Sequence, residues 1–221
     1  MLGIMKLVIF DLDQTLVNIF RVHDKAYHNT MKEVFNIDAC YKKMDYTGKR
    51  IPDLVREFAL REGIPNAVID MNMNEAVRAY ELNFASLLKN VKRHVLPGVR
   101  RLVGELGKRH KLAVVTGDLR SIAESVLQEA GLAGFFPVVV TADDAPTREK
   151  MVGLAIKKSG RASEVWVIGD SSRDIEAGNA NGAKTIGVLT GEHDRKTLLA
   201  AKPNYIFKDL SNTKRIIEAI G

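Results

Sequence analysis

The sequence predicts an α/β protein whose parallel sheet carries an inserted helical unit. Three observations predict it. Five short apolar runs have a continuous Val/Ile/Leu character, helical patterns lie between most of them, and one long stretch after the first run holds only helical periodicity. Continuous apolar strands suit a parallel sheet covered on both faces, and strand alternating with helix gives βαβ units.

Taken in order, the strand candidates are Lys6 to Phe10, Leu112 to Thr116, Pro137 to Thr141, Val165 to Gly169 and Thr185 to Leu189, with a weaker sixth at Tyr205 to Phe207. Pro97-Gly98 signals entry to a helix over Val99 to Leu106, and Gly131 stops one over Ser121 to Ala130. Thr147 to Lys158 and Asp174 to Asn181 continue the alternation. Between Asn18 and Arg93 the pattern is three amphipathic helices, at 22–35, 51–62 and 66–90, punctuated by Gly48, Gly63 and Pro65. The expected organisation is a Rossmann-like core of residues 1–17 and 94–221, interrupted by a helical insertion at 18–93.

The 221 residues suffice for a substantial core, and 46% apolar with 27% charged residues is ordinary for a soluble globular protein. The charge is +6, but basic residues are scattered among acidic ones, and the densest cluster, RRLVGELGKRHK at 100–111, reads as a helix face and its solvated end. Nucleic-acid binding is therefore not expected; a basic surface that attracts small anions is. One cysteine, Cys40, excludes an internal disulfide framework and suits a reducing compartment. The start lacks a signal-peptide pattern and no apolar run reaches membrane-spanning length, so a cytoplasmic protein is expected, with Met5 as an alternative to Met1 for the start.

In an open parallel sheet the ligand site lies beyond the carboxyl ends of the strands. The first strand ends in Asp11 with Asp13 two residues on, the second in Thr116-Gly117-Asp118, and the fourth in Gly169-Asp170 with Asp174 following. Singly, a turn or a helix cap explains Thr116 or Asp174, and a solvated charge explains Lys150. Together they bring several carboxylates to one crevice, where repulsion and lost hydration are costly without a cation. Oxygen-only ligands at this density favour Mg²⁺, which also takes substrate phosphates. One of the Asp11/Asp13 pair can be a nucleophile while the other handles protons. Asp170 and Asp174 can reach the metal, Thr116 and the backbone around Gly117 can donate to a phosphoryl oxygen, and Lys150 can balance negative charge.

These residues resemble the haloacid dehalogenase superfamily. Its four motifs are matched in order by DLDQT (11–15), VVTG (114–117), Lys150 and GDSSRD (169–174). The runs VLPGVRRLVGEL (95–106), GDSSRDIEAGNANGAKTIGV (169–188) and PNYIFKDLSNTKRII (203–217) are similar too, and the resemblance is nearest to the phosphoglycolate phosphatase-like branch with a small α-helical cap. It implies a phosphatase of small phosphate monoesters. Asp11 would attack phosphorus and form an aspartyl-phosphate; Asp13 would protonate the leaving alcohol and then activate water, which requires a raised pKa. Thr116, Gly117 and Lys150 would bind the phosphoryl group. Asp11, the Asp13 backbone carbonyl and Asp170 would hold Mg²⁺, with Asp174 supporting that shell. Two departures stand out. No Lys-Pro follows in APTREKMVGLA, where Lys150 is chosen over Arg148, and Asn18-Ile19 replaces the Asp-Ser of many relatives.

A phosphosugar mutase or other phosphotransferase shares this chemistry, and a phosphoryl-accepting receiver module shares the acidic cluster. Asp13 and the helical insertion argue against the receiver. In the loop TGKR (47–50), Lys49 or Arg50 is either a contact for an anionic substrate group or the solvated start of a helix. His23 and His28 are read as core or surface histidines without a role, and Trp166 as core. A small phosphorylated metabolite is the expected partner, phosphoglycolate by analogy alone, and the chain is expected to be a monomer or homodimer.

Overall fold

The computed structural model describes residues 5–38, 48–91 and 94–221. Met1, Cys40 and Thr47 lie outside them. Six strands form one sheet: β1 (Leu7–Phe10), β2 (Lys111–Val115), β3 (Val138–Val140), β4 (Val165–Gly169), β5 (Lys184–Val188) and β6 (Tyr205–Phe207). All neighbours are parallel, in the order β3-β2-β1-β4-β5-β6. β1 is central and wholly buried. Its side chains alternate, Val8 and Phe10 into one core and Leu7 and Ile9 into the other. This is why the run reads as continuously apolar: both faces are covered.

One face carries α4 (Val99–Leu106), α5 (Arg120–Glu129) and α9 (Thr213–Ile220); the other carries α6 (Arg148–Ser159) and α7 (Ser172–Ala180). A short α8 (Arg195–Ala200) precedes β6. The sequence patterns delimit neither α8 nor α9. Helix starts follow their caps: Thr147 accepts from the Lys150 N–H, and Ser171 forms a capping box with Asp174. Asp174 is thus inside the first turn of α7, not at its start.

Three helices, α1 (Phe20–Phe35), α2 (Ile51–Arg61) and α3 (Asn66–Leu88), are inserted between β1 and α4 and pack on one another, chiefly α1 and α2 against α3. α1 begins two residues earlier than its periodicity suggests, which brings Phe20 into the helix. The chain leaves and returns side by side: the Asn18 N–H donates to the His94 carbonyl at 2.6 Å and the Leu96 N–H to the Leu16 carbonyl at 3.0 Å. Among the described residues no helix is long and apolar enough to cross a membrane.

Strand register aligns the polar ends of the sheet. Phe10 is level with Val114 on β2 and with Ile168 on β4. The three adjacent strands therefore release Asp11, Thr116 and Asp170 at nearly one height. The sheet order reverses direction between β1 and β4, the crevice where ligands bind in open α/β sheets.

Candidate active site

Asp11, Asp170 and Asp174 are buried, and each places a carboxylate oxygen within 4.8 Å of the others. Asp11 is held by its N–H to the Ile168 carbonyl at 2.9 Å. Thr15 Oγ1 donates to Asp170 Oδ1 at 3.2 Å, and Asp174 Oδ2 accepts from the Ser171 hydroxyl at 2.6 Å and its N–H at 3.2 Å. Asp170 Oδ2 is buried and has no hydrogen bond from the described residues. Gly191 allows this approach, since a Cβ there would stand 1.7 Å from that oxygen.

The cation at this cluster is Arg148. Its guanidinium pairs with Asp11, its Nε lies 2.9 Å from Asp174 Oδ1, and it donates to the Val115 carbonyl at 3.1 Å. Lys150 is not brought to the site. It is exposed at the third position of α6. The reason is helical geometry: two residues turn about 200° around the axis, so Arg148 and Lys150 face nearly opposite ways. The sequence held the signal, because Arg148 is three, four and seven residues before the buried Met151, Val152 and Ala155. The expectation for Lys150 is therefore corrected to Arg148 as the basic residue beside the carboxylates.

Burial pushes the Asp11 carboxyl well above the usual range; Arg148 opposes this, and Asp174 and Asp13 add to it. Asp170 is likewise raised, by burial first and then by Asp11 and Asp174. Three carboxylates facing one guanidinium leave, when ionised, a net charge of −3 + 1 = −2. A buried site with this deficit and an orphaned Asp170 oxygen fits a hard dication with oxygen ligands.

Asp13 lines the same cavity, of about 80 Å³, but is not one of the three carboxylates that lie within 4.8 Å of one another. Oδ1 accepts from the N–H groups of Gln14 at 2.9 Å and Ile19 at 3.0 Å, the second marking the entry to α1. The sharp turn is made by Gln14 in the left-handed region, φ 61°, its carbonyl held by Thr190. Burial pushes Asp13 up to about 6, with Asp118 adding and His23 opposing. Two carboxylates on one cavity thus have different surroundings.

Thr116 is buried, and its hydroxyl donates to Asp118 Oδ2 at 3.2 Å. Gly117 lies beneath the inserted helices: a Cβ there would meet the Lys49 carbonyl at 2.2 Å, and its own carbonyl accepts from the Ile51 N–H at 3.2 Å. Lys49 lines the cavity and pairs with Glu57. Arg50 turns instead to Asp53, making two bonds of 2.7 Å.

His23, to which the sequence assigns no role, stands in the cavity. Its Nε2 is 3.8 Å from Asp13 Oδ2 and 3.6 Å from Asp118 Oδ1, and its Nδ1 meets the Tyr80 hydroxyl of α3. The available signal is the 3-4 spacing of Phe20, His23 and Tyr27, which puts all three on one face of α1. His28 is outside this group and faces Asp38. Trp166 is buried in β4, as expected.

The family model for haloacid dehalogenase-like hydrolases matches residues 8–188. A pyrophosphatase PpaX of Bacillus velezensis is 30% identical over 220 residues, covering 95% of this chain and 94% of that protein. A phosphoglycolate phosphatase of Synechococcus elongatus is 28% identical over 139 residues, 58% of this chain and 66% of that one. Among solved structures, a hydrolase from Pseudomonas syringae superposes with a TM-score of 0.79 at 23% identity, over 97% of this chain and 98% of that chain, a likeness of fold. Motifs in order, a sheet of matching topology and a model match across most of the length lead to one conclusion: the chain belongs to the haloacid dehalogenase-like hydrolases.

Proposed function

We propose that this protein is a Mg²⁺-dependent phosphatase that hydrolyses a small phosphate monoester through a phosphoenzyme on Asp11. The observation that carries it is that two strand-end carboxylates line one cavity with different partners: Asp11 pairs with Arg148 beside Asp170 and Asp174, while Asp13 accepts from the Gln14 and Ile19 N–H groups and faces His23. The guanidinium beside Asp11 favours its ionised, nucleophilic form, and the separate partners of Asp13 leave it to transfer protons. Relatives named as pyrophosphatase and phosphoglycolate phosphatase support phosphoryl chemistry.

In the first half-reaction an Asp11 carboxylate oxygen attacks phosphorus, the ester P–O bond breaks, and Asp13 gives its proton to the departing alcohol oxygen. In the second, ionised Asp13 takes a proton from water, whose oxygen attacks the aspartyl-phosphate and releases inorganic phosphate. Covalent catalysis thereby divides one difficult step into two. Thr116, the Gly117 backbone and Arg148 bind the equatorial oxygens and oppose their charge. Asp11, Asp170 and the Asp13 carbonyl would hold Mg²⁺ with Asp174 in support, and the ion would supply Lewis-acid stabilisation. Residues 18–93 act as a cap that excludes bulk water from the cavity, and Lys49 is one of the cap residues lining it.

The test is release of inorganic phosphate from p-nitrophenyl phosphate with and without Mg²⁺, beside Asp11→Asn. Metal-dependent release abolished in the variant supports the reading. Equal release from the variant refutes it.

A further inference from the structure

The cavity wall beyond the reacting carboxylates has a chemistry of its own. α1 contributes Phe20 and Tyr27, and α2 contributes Ile51 and Leu54. The lining also includes Asp118, Glu192 and His23, the last facing Asp13 and Asp118. Lys49 also lines the cavity, but Glu57 of α2 neutralises it, and Arg50 is spent on Asp53. Arg148 is engaged by Asp11 and Asp174. A leaving group bearing a carboxylate or phosphate would thus lie, desolvated, among apolar side chains and acids, where every basic side chain among the described lining residues already faces an acid. An uncharged group with an apolar body would bury surface there at no such cost.

Resting on the phosphatase reading above, we propose that the substrate is the phosphate ester of a small uncharged alcohol with an apolar body, and that the Lys49–Glu57 pair sets this preference by engaging the Lys49 charge at the cavity. Esters with anionic leaving groups, such as phosphoglycolate and pyrophosphate, are then poor substrates. The preference comes from the wall and not from the reacting residues, so it changes with the charge of the pair.

The experiment compares kcat/KM in Mg²⁺ for propyl and phenyl phosphate against phosphoglycolate, pyrophosphate and phosphoethanolamine, with wild type and Glu57→Gln. Glu57 is half-exposed, so the substitution does not threaten folding. Wild type is expected to favour the uncharged alcohols at least tenfold. Glu57→Gln, which frees the Lys49 charge, is expected to raise phosphoglycolate relative to propyl phosphate about fivefold. A wild-type ratio below tenfold, a preference for the anionic or cationic esters, or a ratio unmoved by Glu57→Gln overturns the proposal. Calorimetric titration of the same esters into Asp11→Asn reads the preference without turnover. Absence of hydrolysis by wild type would then refute the phosphatase reading, while the order of affinities still decides this one.

Discussion

Replacing Asp13 with Asn should stabilise the metal-free protein, and the gain should depend on pH. Asp13 sits at about 6 in the fold against 3.8 for an unperturbed carboxyl. Below 3.8 the group is protonated folded and unfolded, and burial costs nothing through ionisation. As pH rises through about 6 the folded protein must hold a charge that the unfolded chain solvates freely, and stability is lost. At about 1.4 kcal/mol per pH unit the penalty at pH 8 is about 3 kcal/mol, falling to about 1 kcal/mol at pH 4.5. With 23% of the side chain still accessible, solvent screening makes these ceilings. Asn retains an oxygen to accept from the Gln14 and Ile19 N–H groups, so the turn survives. For a chain of this length each kcal/mol moves Tm by about 2–4 °C, giving a rise of at most about 12 °C at pH 8. Scanning calorimetry of both proteins in EDTA at pH 8 and 4.5 measures it. No rise at pH 8, or an equal rise at both, would refute the argument that Asp13 is a strained acid.

Arg148→Ala should lower kcat by about 10²–10³, the loss expected for one preorganised donor to a transferring group, whereas Lys150→Ala should stay within about twofold; steady-state rates in saturating Mg²⁺ compare them. kcat/KM requires protonated Asp13 and should decline above about pH 6. His23→Gln removes the neighbour that opposes the rise of Asp13 and should move that decline upward in a pH-rate profile. Gly117→Ala places a methyl 2.2 Å from the Lys49 carbonyl and should displace the α2 start, raising KM several-fold with little change in Tm.

The sheet was legible because its inner strands β1, β2 and β4 are buried on both faces, so each leaves a continuous apolar run that no alternating pattern obscures. The strand-end aspartates were legible for the same reason: charge directly after Phe10 or Gly169 is anomalous against such a background. What failed to show had a different physical origin. Arg148 and Lys150 are equally basic, and only the phase of α6, fixed by Met151, Val152 and Ala155, separates them. His23 depends on the approach of α1 to the strand ends and on Tyr80 of α3, contacts between segments remote in sequence. The turn at Gln14 has no glycine to announce it. Of the TGKR loop, Lys49 lines the cavity while Arg50 closes on Asp53, a choice made by the first turn of α2.

The most direct test of the central claim is the site of phosphoryl attachment. Wild type mixed with p-nitrophenyl phosphate and Mg²⁺, quenched in acid within a turnover and digested, should yield the peptide containing Asp11 heavier by one phosphoryl group, and Asp11→Asn should yield none. A phosphoryl group on another residue, or turnover with no covalent species in rapid-quench experiments under conditions where attack outpaces hydrolysis, would contradict the account.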